Sequence, residues 1–291
     1  MTDYKSSKIL VTGAGGQLGA QVVRLLLAGG ATQVIAGTRD PSKFTMAGVE
    51  TRRVDFSDTA VLDAAFAGVD QVLIISTDVI GPERRRIQVA AVEAAARAMV
   101  KHIVYTSLTN PEPGSAVILA PDHDATEKAI AATGIAYSLL RNSVYLDMLP
   151  QSLAPALASG HWYTAMGQGR IGRITREDCA KAAAAVLLAG PQGNRVLNIS
   201  GAELLTAEET AAIASAVSGK PLSVVQVDDA GLKAGMVGAG LPAPVADLLV
   251  SFETAVRLGQ AEVKSDFEAI TGAKPMSVKA FLEANRAALG A

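Results

Sequence analysis

The chain has 291 residues, 49% of them hydrophobic and 19% charged, with a formal net charge of -2. These values describe a globular protein able to bury a large core, and they give no support for a nucleic-acid or anionic-membrane partner. The single cysteine, Cys179, excludes an internal disulfide and a multi-cysteine metal site, no apolar stretch approaches the ~20 residues of a bilayer span, and the run Ile9 to Val11 is too short for a signal-peptide core, so a cytoplasmic protein without a metal is expected.

The first element sets the pattern. Lys8 to Val11 reads as a strand, and Leu18, Val22, Leu25 and Leu26 then recur at the spacing of one helix face. Between them lie Gly13, Ala14, Gly15, Gly16, Gln17, Leu18 and Gly19. Gly13 permits the tight turn, Gly16 lets the backbone approach a diphosphate, and Gly19 lets the helix pack against the strand. Free N–H groups at the helix start, with the positive end of its dipole, suit phosphate. Glycines here also serve turn conformation alone, but this cluster stands at the first junction of a chain that goes on alternating strand and helix.

Val34 to Gly37 reads as the second strand and runs into Arg39-Asp40-Pro41-Ser42-Lys43. In a dinucleotide fold this strand end meets the adenosine ribose, where a base favours a 2′-phosphate. Asp40 before Pro41 reads as a helix cap with a local role. Arg39, helped by Lys43, therefore favours NADP(H), with NAD(H) as the alternative; the plainer reading is two solvated basic side chains. Val49 to Val54 is a third strand, after which Asp55 and Phe56 sit either near an adenine or as a turn acid and a core residue.

Gln71 to Ile75 has the continuous apolar run of a central parallel strand, and Ser76 and Thr77 at its carboxyl end face the expected cofactor crevice. Pro82 to Met99 reads as a helix on which Arg84, Arg85 and Arg86 form a solvated face. His102 to Tyr105 is a fifth strand, with His102 at the wrong sheet edge for catalysis and so structural. A helix from Leu119 to Ile130 leads to a sixth strand, Ala136 to Asn142, with Asn142 at its carboxyl end. The economical fold is an α/β, Rossmann-like, doubly wound parallel sheet.

Beyond Asn142 the regularity changes. Tyr145 to Ala158 is helical with a proline interruption, His161 to Thr164 is a short strand, Thr175 to Asp178 opens a helix with a capping-box pattern, and Thr206 to Glu209 caps another helix. We expect a dinucleotide-binding unit over residues 1–154, rejoined by a strand at Arg195 to Ile199, and a smaller, mainly helical substrate lobe over 155–291.

Taken together, Gly13 to Gly19, Arg39 to Lys43, His102 to Leu108, Ala125 to Lys128, Arg141-Asn142, Leu197 to Gly201 and Ile270 to Gly272 resemble the NmrA-like atypical short-chain dehydrogenases/reductases, and within that family its bacterial quinone and triphenylmethane-dye reductases. One departure is Gly15, where the family more often has threonine. The larger family carries a tyrosine and a lysine four apart on this helix; here those places fall on Leu119 and His123. The resemblance therefore implies an NADPH-dependent oxidoreductase that passes hydride to a quinone or similar conjugated small molecule, which needs less acid assistance than a plain ketone. A non-catalytic NADP(H) sensor is the alternative. It further implies that His123 supplies a proton or binds the nicotinamide ribose, unless it is a surface histidine, and that Tyr145, Met148 and Trp162 face the acceptor, unless they are core. A homodimer is compatible with it.

Overall fold

The structure, a computed structural model, describes residues 4–290, so residues 1–3 and 291 of the two expected units lie outside the described residues. In chain order the elements are β1 (Lys8–Val11), α1 (Gln17–Ala28), β2 (Gln33–Thr38), β3 (Glu50–Arg53), α2 (Thr59–Phe66), β4 (Gln71–Ile74), α3 (Pro82–Arg97), β5 (His102–Leu108), α4 (Ala120–Ala132) and β6 (Ala136–Asn142). There follow α5 (Leu149–Ser159), β7 (His161–Thr164), α6 (Arg176–Ala189), β8 (Arg195–Ile199), α7 (Ala207–Ser218), β9 (Ser223–Gln226), α8 (Asp229–Gly238), α9 (Ala243–Arg257), α10 (Phe267–Thr271) and α11 (Val278–Ala284).

Seven strands form one sheet in the order β3-β2-β1-β4-β5-β6-β8, and every neighbouring pair is parallel. The order reverses between β1 and β4, and a crevice for a ligand opens at the carboxyl edge of such a reversal. Because both faces are covered at the centre of the sheet, every residue of β4 and β5 is buried. Ile9 and Val11 pack with Val22 and Leu26 of α1 and with Ala183 and Leu187 of α6. Leu10, Val72 and Ile74 pack with Phe66 of α2 and with Ala91 and Ala95 of α3 on the other face.

The return of β8 to the sheet is as expected, with Leu139↔Val196 and Leu140↔Leu197 in register. A third apolar cluster, including Leu153, Trp162, Met166, Val256 and Phe281, unites much of the remaining chain. There β7 and β9 form a two-stranded parallel sheet.

Three local expectations are corrected. Asp40 accepts from Ser42 N (3.2 Å), but the helix it opens is one 3-10 turn, Pro41–Lys43. Thr206 and Glu209 make a complete capping box, whereas at α6 only Thr175 caps, because the Asp178 carboxylate accepts instead from Met276 N (2.8 Å) and Lys181 Nζ (3.1 Å). The arginine run is not one solvated face: Arg84 is buried, on the same stripe of α3 as Ile87, Gln88 and Ala91.

Candidate functional site

The turn after β1 is built for close approach. Gly13 has φ +63°, and Ala14 N donates to Gly37 O (2.9 Å), tying the turn to β2. Gly16 caps α1 with no side-chain acceptor, so the first amides of the helix, at Gln17, Leu18 and Gly19, meet no capping oxygen. A Cβ at Gly19 would lie 2.3 Å from Gly13 O, an overlap that only glycine avoids. A Cβ at Gly16 would meet only Gly13 O, at 3.3 Å. Internal packing therefore makes little demand for glycine at Gly16, and the space before it belongs to a cavity of about 1430 Å³.

That cavity runs along the carboxyl edge of the sheet into the third apolar cluster. Gly13, Gly16, Gln17, Leu18, Gly19, Ser76, Thr77, His123, Asn142, Tyr145, Met148 and Trp162 all line it, so it joins residues expected to bind cofactor to those expected to face an acceptor. Ala14, Gly15, Arg39, Lys43, Asp55 and Phe56 lie outside its wall. The Ser57 hydrogen bonds hold the Asp55 carboxyl below its ordinary range against the opposing effect of burial, helped by the charges of Arg53 and of Arg39, which is exposed at the end of β2. Lys43 pairs with Asp40 (3.2 Å). Asp55 Oδ1 accepts from Ser57 N (3.0 Å) and Ser57 Oγ (2.6 Å), as a turn acid does, and Phe56 packs against the core.

The loop after β4 is held by residues that the sequence reading did not assign. Ser76 N donates to Thr106 Oγ1 (2.8 Å) and Thr77 N to Gln88 Oε1 (3.1 Å). Arg84 Nη1 donates to the carbonyls of Thr77 and Val79, and its Nη2 meets His123 Nε2 at 2.9 Å. A guanidinium only donates, so His123 Nε2 accepts and the ring proton sits on Nδ1, donating to Tyr105 Oη (2.8 Å). Burial, with the nearby Arg84 charge, lowers the His123 pKa to about 3.

His123 is therefore not a surface histidine, and it is not placed as a proton donor. It is neutral at ordinary pH, and both ring nitrogens are engaged. Its contribution is to hold Arg84, which holds the Ser76-Thr77 loop. His102 is structural as expected: it is buried between Gln71 Oε1 (2.9 Å) and Ser138 Oγ (3.1 Å), and burial lowers its pKa to about 4.

At the ends of β5 and β6 the structure leaves polar atoms for a ligand. Asn142 is 7% exposed; neither side-chain atom makes a hydrogen bond within 3.5 Å, although the Tyr145 phenol is close enough to feel it, and Ser107 Oγ is buried without a partner. These strands are in register, Ser107 opposite Arg141 and Leu108 opposite Asn142, so both orphans stand at one sheet edge. Arg141 is fixed by Glu127 (2.7 Å) and Glu112 (2.6 Å), which anchors the end of β6. Buried polar groups are nearly always paired, so orphans lining a cavity imply a bound partner.

The far wall is mostly apolar. Trp162 is buried and also part of the core, Met148 is 37% exposed, and Tyr145 lies under the Arg176 guanidinium, 4.7 Å from its ring centroid. Burial pushes the Tyr145 phenol up. Arg173 and Glu253 are the charged residues here that the sequence pattern did not single out. Among the described residues no group of three or more His, Cys, Asp or Glu could hold a metal ion, and no helix is long and apolar enough to cross a membrane.

Residues 5–274 match the NmrA-like family. Quinone oxidoreductase 2 of Escherichia coli is 35% identical over 258 residues, covering 86% of this chain and 88% of the relative. The NADPH complex of the E. coli quinone oxidoreductase QOR2 has a TM-score of 0.91 at 32% identity, over 96% of this chain and 99% of that one. The NADP(H) complex of Citrobacter sp. triphenylmethane reductase has a TM-score of 0.86 at 36% identity, over 94% and 97%. The negative transcriptional regulator NmrA shares the fold, with a TM-score of 0.76, at only 16% identity, over 96% of this chain and 95% of that one.

Proposed function

The chain belongs to the NmrA-like family, and we propose that it is an NADPH-dependent oxidoreductase that reduces a quinone or a similar conjugated acceptor. The observation that carries this reading is a single cavity with uncapped helix amides at Gln17 to Gly19, the unpartnered Asn142 and Ser107, and an apolar far wall. The residues fit a dinucleotide: amides for a pyrophosphate, room in front of Gly16, and Arg39 beyond the cavity for a 2′-phosphate. NADPH, when bound, supplies a hydride.

The protein's own part is placement. The amides of the first turn of α1 hold the phosphates, Asn142 and Ser107 take up polar atoms at the nicotinamide end, and the Arg84–His123–Tyr105 chain keeps the Ser76-Thr77 loop in position. The apolar wall excludes water from the acceptor face. With Leu119 where the larger family has tyrosine, and His123 neutral and doubly bonded, the proton that completes reduction comes from solvent. An electron-poor ring tolerates that better than an isolated ketone does.

The relatives named as reductases support turnover over the sensor alternative, whose named regulator is far more distant. The test is to mix the protein with NADPH and a small quinone and follow the nicotinamide absorption band. Saturable, protein-dependent consumption abolished by Gly16→Arg supports the reading. Tight NADPH binding without consumption, over a panel of quinones, refutes it in favour of a sensor.

A further inference from the structure

Two other arginines drawn into the protein are well supplied with acceptors: the buried Arg84 has two carbonyls and an imidazole, and the half-buried Arg141 has two carboxylates. Arg173 is not. Its Nε is buried without a partner, and its Nη2 finds only Met166 Sδ, at 3.7 Å. Among the described residues no carboxylate oxygen lies within 4.0 Å of it. Glu253 influences it through space, but Glu253 Oε2 already accepts from Thr164 Oγ1 (2.8 Å) and Ala165 N (2.6 Å).

The backbone that carries Arg173 is wedged. Ile174 N donates to Val144 O (3.2 Å) and Ile174 O accepts from Leu146 N (2.7 Å). A Cβ on Gly201 would come within 2.2 Å of Arg173 O, and one on Gly172 within 2.9 Å of Gly201 O. The guanidinium is thus presented from a rigid seat into a cavity whose nearby wall includes Trp162, Ile171, Phe252 and Val256. A half-buried cation with no carboxylate in hydrogen-bonding contact is underused, and a planar five-donor fork matches a carboxylate or sulfonate with two parallel hydrogen bonds.

Resting on the reductase reading above, we propose that Arg173 forms an anion-recognising subsite in the acceptor half of the cavity, so that the preferred acceptors carry a carboxylate or sulfonate beside the conjugated ring. Glu253 lines the same cavity and acts on Arg173 only through space, so it competes with a bound anion for the guanidinium's charge without occupying its donors.

The experiment compares kcat/KM for 1,2-naphthoquinone-4-sulfonate with that for 1,2-naphthoquinone. Because the sulfonate also changes intrinsic reactivity, the quantity read is how this ratio differs between proteins. Arg173→Met is expected to lower the ratio about tenfold to a hundredfold, the range of hydrogen bonds to a charged group. Arg173→Lys should recover part of it, and Glu253→Gln, which keeps an amide oxygen for Thr164 and Ala165, should raise it. If Arg173→Met does not fold, the Lys and Gln variants still decide. An unchanged ratio in both overturns the subsite.

Binding of 2-naphthalenesulfonate to the NADP-saturated protein, measured against naphthalene, gives a readout independent of turnover. Loss of sulfonate affinity in Arg173→Lys with neither quinone reduced by the parent protein supports the subsite and refutes the reductase reading. Reduction of both quinones with equal weak binding of the two aromatic probes does the reverse.

Discussion

Gly16 and Gly19 are three residues apart, yet the structure gives them opposite liabilities. At Gly16 a side chain would meet only Gly13 O, at 3.3 Å, in an ordinary extended conformation with φ -87° and ψ 171°. Gly16→Val should therefore fold, losing only about 1 kcal/mol through a poorer N-cap. Its side chain would fill the space where a pyrophosphate meets the amides of Gln17 to Gly19. Breaking one or two charge-assisted hydrogen bonds costs about 2–4 kcal/mol, or about thirtyfold to several hundredfold in NADPH affinity.

At Gly19 a Cβ would sit 2.3 Å from Gly13 O and 2.8 Å from Ala14 Cα, both backbone atoms that have no room to yield. Gly19→Ala should cost about 1–3 kcal/mol or more by overpacking, outweighing the ~1 kcal/mol that alanine ordinarily brings to a helix. NADPH fluorescence titration and thermal melts together separate the two effects. The expected pattern is lost binding with a nearly native melt for Gly16→Val, and a lowered melt for Gly19→Ala. A folded Gly16→Val that binds NADPH within threefold of the parent would refute the cradle.

Arg39→Ala should weaken NADPH about tenfold or more while changing NADH less than threefold, as read by titration with each; equal losses for the two would place the guanidinium away from the 2′-phosphate. Arg84→Met should lower kcat tenfold or more with a smaller change in KM for NADPH, because it frees the Ser76-Thr77 loop without removing a phosphate donor, and Arg84→Lys should recover part of the loss. His102 and His123 have folded pKa values of about 4 and about 3, while an unfolded histidine titrates near ~6.5. The unfolded chain therefore takes up protons first, so stability is complete above pH ~6.5 and is lost as the pH falls, by about 2 kcal/mol per site at pH 5. Asp55, Asp70 and Asp229, held below their ordinary range, make their losses only at lower pH. Urea unfolding at pH 7 and pH 5 should show this drop in the parent and about half of it in His102→Gln.

Much of the fold was legible because its signals are local. The continuous apolar runs of β1 and β4, and the glycine cluster between β1 and α1, each follow from the backbone conformation they require. What stayed hidden depends on side chains meeting across long stretches of sequence. Arg84 reads as one of three solvated arginines, although its spacing from Ile87, Gln88 and Ala91 marks the buried stripe of α3. That stripe was the available signal. His123 reads equally well as a surface group or a proton donor until Arg84, on another helix, and Tyr105, on a strand, are seen to occupy its two nitrogens. Ser107 lies past Tyr105, where the apolar run of the fifth strand ends, yet β5 continues to Leu108. Arg173 and Glu253 lie on separate elements of the second half, and no short motif joins them.

The most direct test is titration calorimetry of the intact protein with NADPH and, separately, NADH. The account predicts one site per chain and affinity for NADPH at least tenfold higher than for NADH. Failure of the folded protein to bind either nucleotide would contradict it.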